Sequence, residues 1–210
     1  MLRDIPGLVI ASPGHPSDAA PMLRTCAAAA AVDGTVCAYL EPIALYHTRD
    51  LHETGDGVWT APYAAPAAWS NVHVPIGAGR LVREGDDVLI VTWANGLFLS
   101  LRAARRLAAA GISCRVFDLR WLAPLPIDEV LTHANEVGRV LVVDETRHSG
   151  GVGEGVVAGL VEGGYAGPLS RVAARDTFIP LGEAANLVLV SEDEIIDATR
   201  RLCERPPTGR

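Results

Sequence analysis

The sequence predicts an α/β protein: a three-layer, mostly parallel sheet over residues 77–205, preceded over residues 1–46 by part of a second α/β unit. Three observations carry this. From Gly77 onward, short apolar runs alternate with segments of helical period. One of them, Val140–Val143, is bare of polar residues and stops at Asp144 and Glu145 before Arg147, His148 and the pair Gly150-Gly151. Such a run is the profile of a strand buried on both faces. Upstream, a single strand–helix–strand unit is set apart by residues 47–76, which carry Pro62, Pro66 and Pro75 and keep no period.

Residues 8–12, LVIAS, read as a buried strand followed by a turn at Pro13-Gly14. Ser17 is a good N-cap, with Asp18 in the first turn of a helix that runs through alanines to about Val32. Asp33-Gly34 breaks it, and Thr35–Leu40 is the second strand. After the linker, Val88–Trp93 is a strand. Asn95 then precedes a helix marked by Leu97, Phe98, Leu101, Ala104, Leu107 and Ala108, with Gly111 closing it. Ser113–Leu119 is the next strand. Ile127, Val130, Leu131 and Ala134 mark a helix that starts near Pro126, with Asp128 and Glu129 suiting its dipole. Strand 140–145, a helix from about Gly151 to Glu162, and strand 169–174 follow. The last helix opens with a capping box, Ser191 to Glu194, and buries Ile195, Ile196, Thr199 and Leu202. Strands and helices alternating this evenly imply βαβ crossovers. No repeat is present, and the short RPPTGR end is the sole biased tail.

The chain has 210 residues, 49% hydrophobic and 20% charged, a globular composition. A formal charge of −7 and the lack of a dense basic patch exclude nucleic acid and anionic membrane as expected partners. Cys26, Cys37, Cys114 and Cys203 are far apart in sequence, without zinc-site spacing, and read as reduced, buried thiols. No segment has signal-peptide character or approaches the ~18 apolar residues of a membrane span. A soluble cytoplasmic protein is the expectation.

The chemistry legible in single residues is thin. Gly150, Gly151, Gly153 and Gly155 follow a strand and open a helix, but their spacing is G-G-x-G-x-G. No strand ends in an acid roughly 20 residues later, as a dinucleotide site requires. Ser149 beside His148 lacks a nucleophile elbow. No two histidines sit at i, i+4 with a glutamate. Asp144 and Glu145 fall on opposite faces of their strand, so they read as a salt-bridged strand end and not as an acid/base pair.

Two segments resemble one family. DIPGLVIASPGHPSDAAPMLR with VCAYLEPIALY is similar to the end of the pyrimidine-binding domain of thiamine diphosphate enzymes. GDDVLIVTWANGLFLSLRAARRLAAAGISCRVFDLRWLAPLPIDEVL with GRVLVVDETRHSGGVGEGV resembles the C-terminal domain shared by transketolases and the β subunits of 2-oxo acid dehydrogenases. The closing FIPLGEAANLVLVSEDEII favours the β subunit, and the likeness covers nearly all of residues 5–203.

The resemblance implies a domain division: a remnant of the pyrimidine-binding domain at 1–46, a linker at 47–76, and a transketolase-like C-terminal domain at 77–205. It implies oxidative decarboxylation of a 2-oxo acid with acyl transfer to a lipoyl group, on thiamine diphosphate and magnesium bound in the assembled enzyme only. The family's cofactor-activating glutamate, pyrimidine-side aromatics and acyl-transfer histidine match no position here. The expected role is therefore assembly, with no catalytic or cofactor-binding residue and no activity for the chain alone. The implied partners are an α-type subunit, a missing N-terminal half or both, and an acyltransferase core with its lipoyl domain, in a homo- or hetero-oligomer. Potassium is implied at the turn of Ala30, Asp33 and Thr35. Glu145, Arg147, His148, Gly150 and Gly151 are expected in a subunit contact, with the glycines allowing close backbone approach. The alternatives are a non-catalytic docking module and a fragment of a transketolase-like enzyme.

Overall fold

The computed structural model describes residues 2–206. Met1 and residues 207–210, which hold most of the RPPTGR end, lie outside that range.

Two sheets form. The smaller takes β1 (Val9–Ala11), β2 (Cys37–Tyr39) and β6 (Trp121–Ala123) in the order β2-β1-β6. β1 and β2 are parallel and joined by α1 (Pro16–Asp33), as the unit at 8–40 requires. β6 has no counterpart in the sequence reading. It leaves the larger unit and pairs antiparallel with β1, so the two units share a strand's worth of backbone bonds. Helix α1 is capped by His15, not Ser17: Pro16 already has the φ of a first helical residue, which moves the cap earlier. The His15 Nδ1 accepts from the Ser17 N–H at 3.2 Å.

The larger sheet runs β3 (Arg80–Arg83), β5 (Cys114–Asp118), β4 (Val88–Thr92), β7 (Val140–Arg147) and β8 (Leu169–Ala174). β4, β5, β7 and β8 are parallel, while β3 is an unexpected antiparallel edge. The helices are α2 (Ala94–Ala109), α3 (Ile127–Val137), α4 (Val152–Glu162) and α5 (Glu192–Cys203). β1 does not join this sheet. Helix α2 begins ahead of Asn95, at Ala94, whose φ is +45°, and ends before Gly111 at a cap on Ala110. The capping box at Ser191 and Glu194 is present as expected.

Period-two alternation builds the three layers. Val88, Ile90, Leu141 and Val143 point to one face, where they pack with Leu97, Leu101 and Leu107 of α2 and Ile195 and Leu202 of α5. Leu89, Val91, Val140 and Val142 point to the other, against Val130 and Ala134 of α3 and Val156 and Leu160 of α4. Each such buried valine, leucine or isoleucine side chain contributes roughly 1.5–3 kcal/mol. The linker is anchored to the larger unit, because Leu51 and Trp59 insert into the α2 face. Cys26 and Cys37, distant in sequence, are neighbours: the Cys37 thiol lies 3.8 Å from the Cys26 carbonyl oxygen. All four cysteines are free, and burial pushes Cys26 and Cys114 up to about 12, so neither is a ready thiolate.

Candidate functional site

From β4 the chain crosses through α2 to β5 on one side, and from β7 through α4 to β8 on the other. Strand connections therefore diverge between the carboxyl ends of β4 and β7, the place where open α/β sheets hold ligands. Here that crevice is closed from within. The Thr92 hydroxyl donates to the Val143 carbonyl at 3.1 Å. Gly96 sits so close that a Cβ would stand 2.4 Å from Thr92 Oγ1. The Glu145 carboxylate faces the Asn95 N–H, the second of α2, whose N-cap Trp93 offers no side-chain acceptor. Burial and the neighbouring Asp144 push Glu145 up to about 7.

Asp144 does the same work on the opposite face. It is buried and accepts from the Gly153 N–H at 2.6 Å, in the first turn of α4, and from the Thr146 N–H at 2.8 Å and hydroxyl at 2.5 Å. Burial raises it, and those bonds oppose the rise. The strand end is thus a pair of helix caps, one to each layer, and not a salt bridge as expected; adjacent residues on a strand reach opposite faces, where the two helix ends supply N–H groups.

A second charged cluster joins the two sheets. Asp18 of α1 is buried and accepts from Arg80 Nη1 at 3.0 Å and Arg120 Nη2 at 2.5 Å. Arg120 has φ +59°, donates through Nη1 to the Gly79 carbonyl at 3.2 Å, and through its N–H to Asp118 Oδ1 at 3.1 Å. Asp118 is fully buried, and its Oδ2 has no partner. Burial first, then the Asp18 charge, push Asp118 up to about 7. Residues up to 102 positions apart meet here. Only Asp18 has a local sequence signal, and that signal reads as a first-turn acid.

The expected contact loop divides in two. Arg147, His148 and Gly150 are exposed. Gly151 is buried, and a Cβ on it would lie 2.5 Å from Asp144 Oδ2 and 2.6 Å from the Arg147 carbonyl. Glu145 turns inward as described. Arg147 and Gly150 line a depression of about 660 Å³ with Ser149, Asp176, Thr177 and Phe178. Ser149 donates to Asp176 through its N–H at 2.7 Å and its hydroxyl at 2.6 Å, so its acidic partner is a carboxylate from another loop and His148 plays no part. Phe178 and Leu181 are 97% and 95% exposed. At the other expected site, Ala30 and Asp33 are exposed at the end of α1, and Asp33 accepts from the Thr35 N–H at 3.0 Å and hydroxyl at 2.5 Å. Those bonds hold Asp33 below the usual carboxylate range. Among the described residues no group of three or more His, Cys, Asp or Glu is placed to hold a metal ion, and no helix is long and apolar enough to cross a membrane.

Residues 77–195 match the family described as transketolase, C-terminal domain. This chain belongs to that family. The match spans the larger sheet from just before β3 into α5. Over 207 residues, 97% of the chain, it is 31% identical to the pyruvate dehydrogenase E1 component subunit beta of Staphylococcus aureus and 30% identical to that of Staphylococcus epidermidis. It spans 58% of the length of these curated relatives. A solved structure described as a split gene transketolase, inactive beta4 tetramer, shares the fold at a TM-score of 0.72 and 24% identity, over 97% of this chain and 59% of that one.

Proposed function

We propose that this chain is a β-type piece of a thiamine diphosphate-dependent 2-oxo acid dehydrogenase that contributes assembly surfaces and no catalytic residue. The likeness to pyruvate dehydrogenase E1 subunit beta along 97% of the chain supports the enzyme class. The observation that carries the assembly role is the closed switch point: the acids that could have faced a ligand, Asp144 and Glu145, are spent on helix ends. The proposed division is 1–46, 47–76 and 77–205, with α1, β1 and β2 forming part of a pyrimidine-binding unit. In this reading thiamine diphosphate and magnesium are held by partner residues in the assembled enzyme.

The proposed partners are an α-type subunit or a separate N-terminal half, and an acyltransferase core with its lipoyl domain, in the cytoplasm. Of the expected contact residues, Arg147, His148 and Gly150 remain on the surface, beside the exposed Phe178, and form the proposed subunit contact. Potassium fits the end of α1, where the Asp33 carboxylate stays ionised and the helix dipole is negative. Ala30 and Thr35 flank it. Co-expression with the products of neighbouring genes, followed by 2-oxo acid-dependent dye reduction, tests the reading. Activity of the mixture and none from either component alone is expected. Dye reduction by the chain alone would overturn it.

A further inference from the structure

Among the described residues, one half-buried guanidinium meets no carboxylate and has two shielded nitrogens without a hydrogen-bond partner. Arg24, midway along α1, donates through Nη2 to the Val72 carbonyl at 3.0 Å and lies 5.1 Å from the centroid of the Trp69 ring. Its Nε and Nη1 are shut off from solvent and have no hydrogen-bond partner. No carboxylate among the described residues pairs with it. Elsewhere in this acidic chain the well-buried guanidinium groups of Arg115 and Arg120 each meet an acid. A guanidinium with shielded, free donors is costly unless something anionic meets it.

Space for that anion lies alongside. Between α1 and the strap at 61–72 runs a cleft of about 340 Å³, lined by Pro16, Pro21, Arg24, Pro62, Tyr63 and Val72 among others. It follows α1 from Pro16 to Arg24, roughly 12 Å at the helical rise. Arg24 is the one charged residue among the described lining residues, and the rest are mainly apolar. One fixed positive charge at the end of an apolar trough matches a single negative charge on an apolar body. A phosphate dianion would ask for a second cation. The planar guanidinium suits a carboxylate in particular, because its fork can meet both oxygens.

We propose that Arg24 anchors a binding site for a small organic carboxylate with an apolar body, seated between α1 and the 61–72 strap. The strap must shift for the ligand's head to reach Nε and Nη1, which changes the surroundings of Trp69. The site is independent of the enzyme assignment, since it involves neither the larger sheet nor any cofactor.

The test titrates the full chain with 3-phenylpropanoate and with its neutral analogue 3-phenylpropanamide, read by calorimetry and tryptophan fluorescence. The acid should bind saturably and at least about tenfold tighter than the amide, the ratio that one charge-assisted bond supplies. Arg24→Gln should bring the acid down to the amide's affinity while leaving the melting temperature unchanged or higher, because the shielded charge is gone. Arg24→Lys keeps the charge without the fork and should weaken the acid several-fold. Trp69→Phe should remove most of the fluorescence change but not the heat. Equal binding of acid and amide, unchanged binding in Arg24→Gln, or no saturation by roughly 10 mM acid would each overturn the proposal. Should Arg24→Gln fail to fold, the acid-to-amide ratio and the Arg24→Lys variant decide it alone.

Discussion

Asp118→Asn should remove a pH-dependent weakness at the junction of the two sheets. The folded state holds this carboxyl fully buried, with one oxygen on the Arg120 N–H and the other unpartnered, and its pKa stands at about 7 against an ordinary 3.8. Between those values the folded chain keeps a proton that the unfolded chain has released. The stability this group contributes is therefore fully present below the ordinary value and is lost as pH rises toward 7. The interval from 3.8 to about 7 sets a ceiling of about 4 kcal/mol. Arg80 and Arg120 lie close enough to soften the charge, and local relaxation softens it further, so roughly 1–2 kcal/mol is the expected change. Asparagine keeps the acceptor for the Arg120 N–H and never ionises. Urea unfolding at pH 5 and pH 8 should show the variant gaining the larger part of that amount on the native chain as pH rises, the smaller part having already been lost between the ordinary value and pH 5. Parallel pH profiles would refute the burial argument.

Three further outcomes follow from the geometry. Gly14→Ala places a Cβ 2.8 Å from Leu97 Cδ2 and 3.2 Å from both the Ala94 carbonyl and Asp118 Oδ2, and should lower stability by roughly 1–3 kcal/mol in thermal melts. Asp144→Ala strips the Gly153 and Thr146 donors of their acceptor and should cost about 2–3 kcal/mol, while Asp144→Asn should recover part of it. Replacing Arg147 and His148 with alanine should reduce the oligomer seen by light scattering without moving the melting temperature, since both side chains are exposed.

The larger sheet is largely legible in the sequence because its strands announce themselves locally. Val140–Val143 and Val88–Val91 are apolar runs with no alternative use, and the helices between them keep a 3.6 period. β3 and β6 are illegible for the same reason. Arg80–Arg83 has charges at both ends of a four-residue edge, and Trp121–Ala123 is held by pairing with β1, more than a hundred residues away. The roles of Asp144 and Glu145 are half visible. Strand periodicity puts them on opposite faces, but which N–H groups wait there depends on the packing of α2 and α4. The Asp18, Arg80, Arg120 and Asp118 cluster is not legible as a cluster, because it draws one or two residues from each of three distant segments and only Asp18 has a local signal, as a first-turn acid. Arg24 is similar: nothing in an alanine-rich helix marks an arginine as shielded until the 61–72 strap is laid over it.

Calorimetry with thiamine diphosphate and magnesium separates a chain that supplies assembly surfaces, with the cofactor's ligands coming from partners, from one that binds the cofactor itself. The purified chain should show no heat of binding in the micromolar range, and the complex formed with its co-expressed partner should show it. A micromolar dissociation constant for the chain alone corresponds to ~8 kcal/mol of contacts made by its own residues, and would contradict a role confined to assembly.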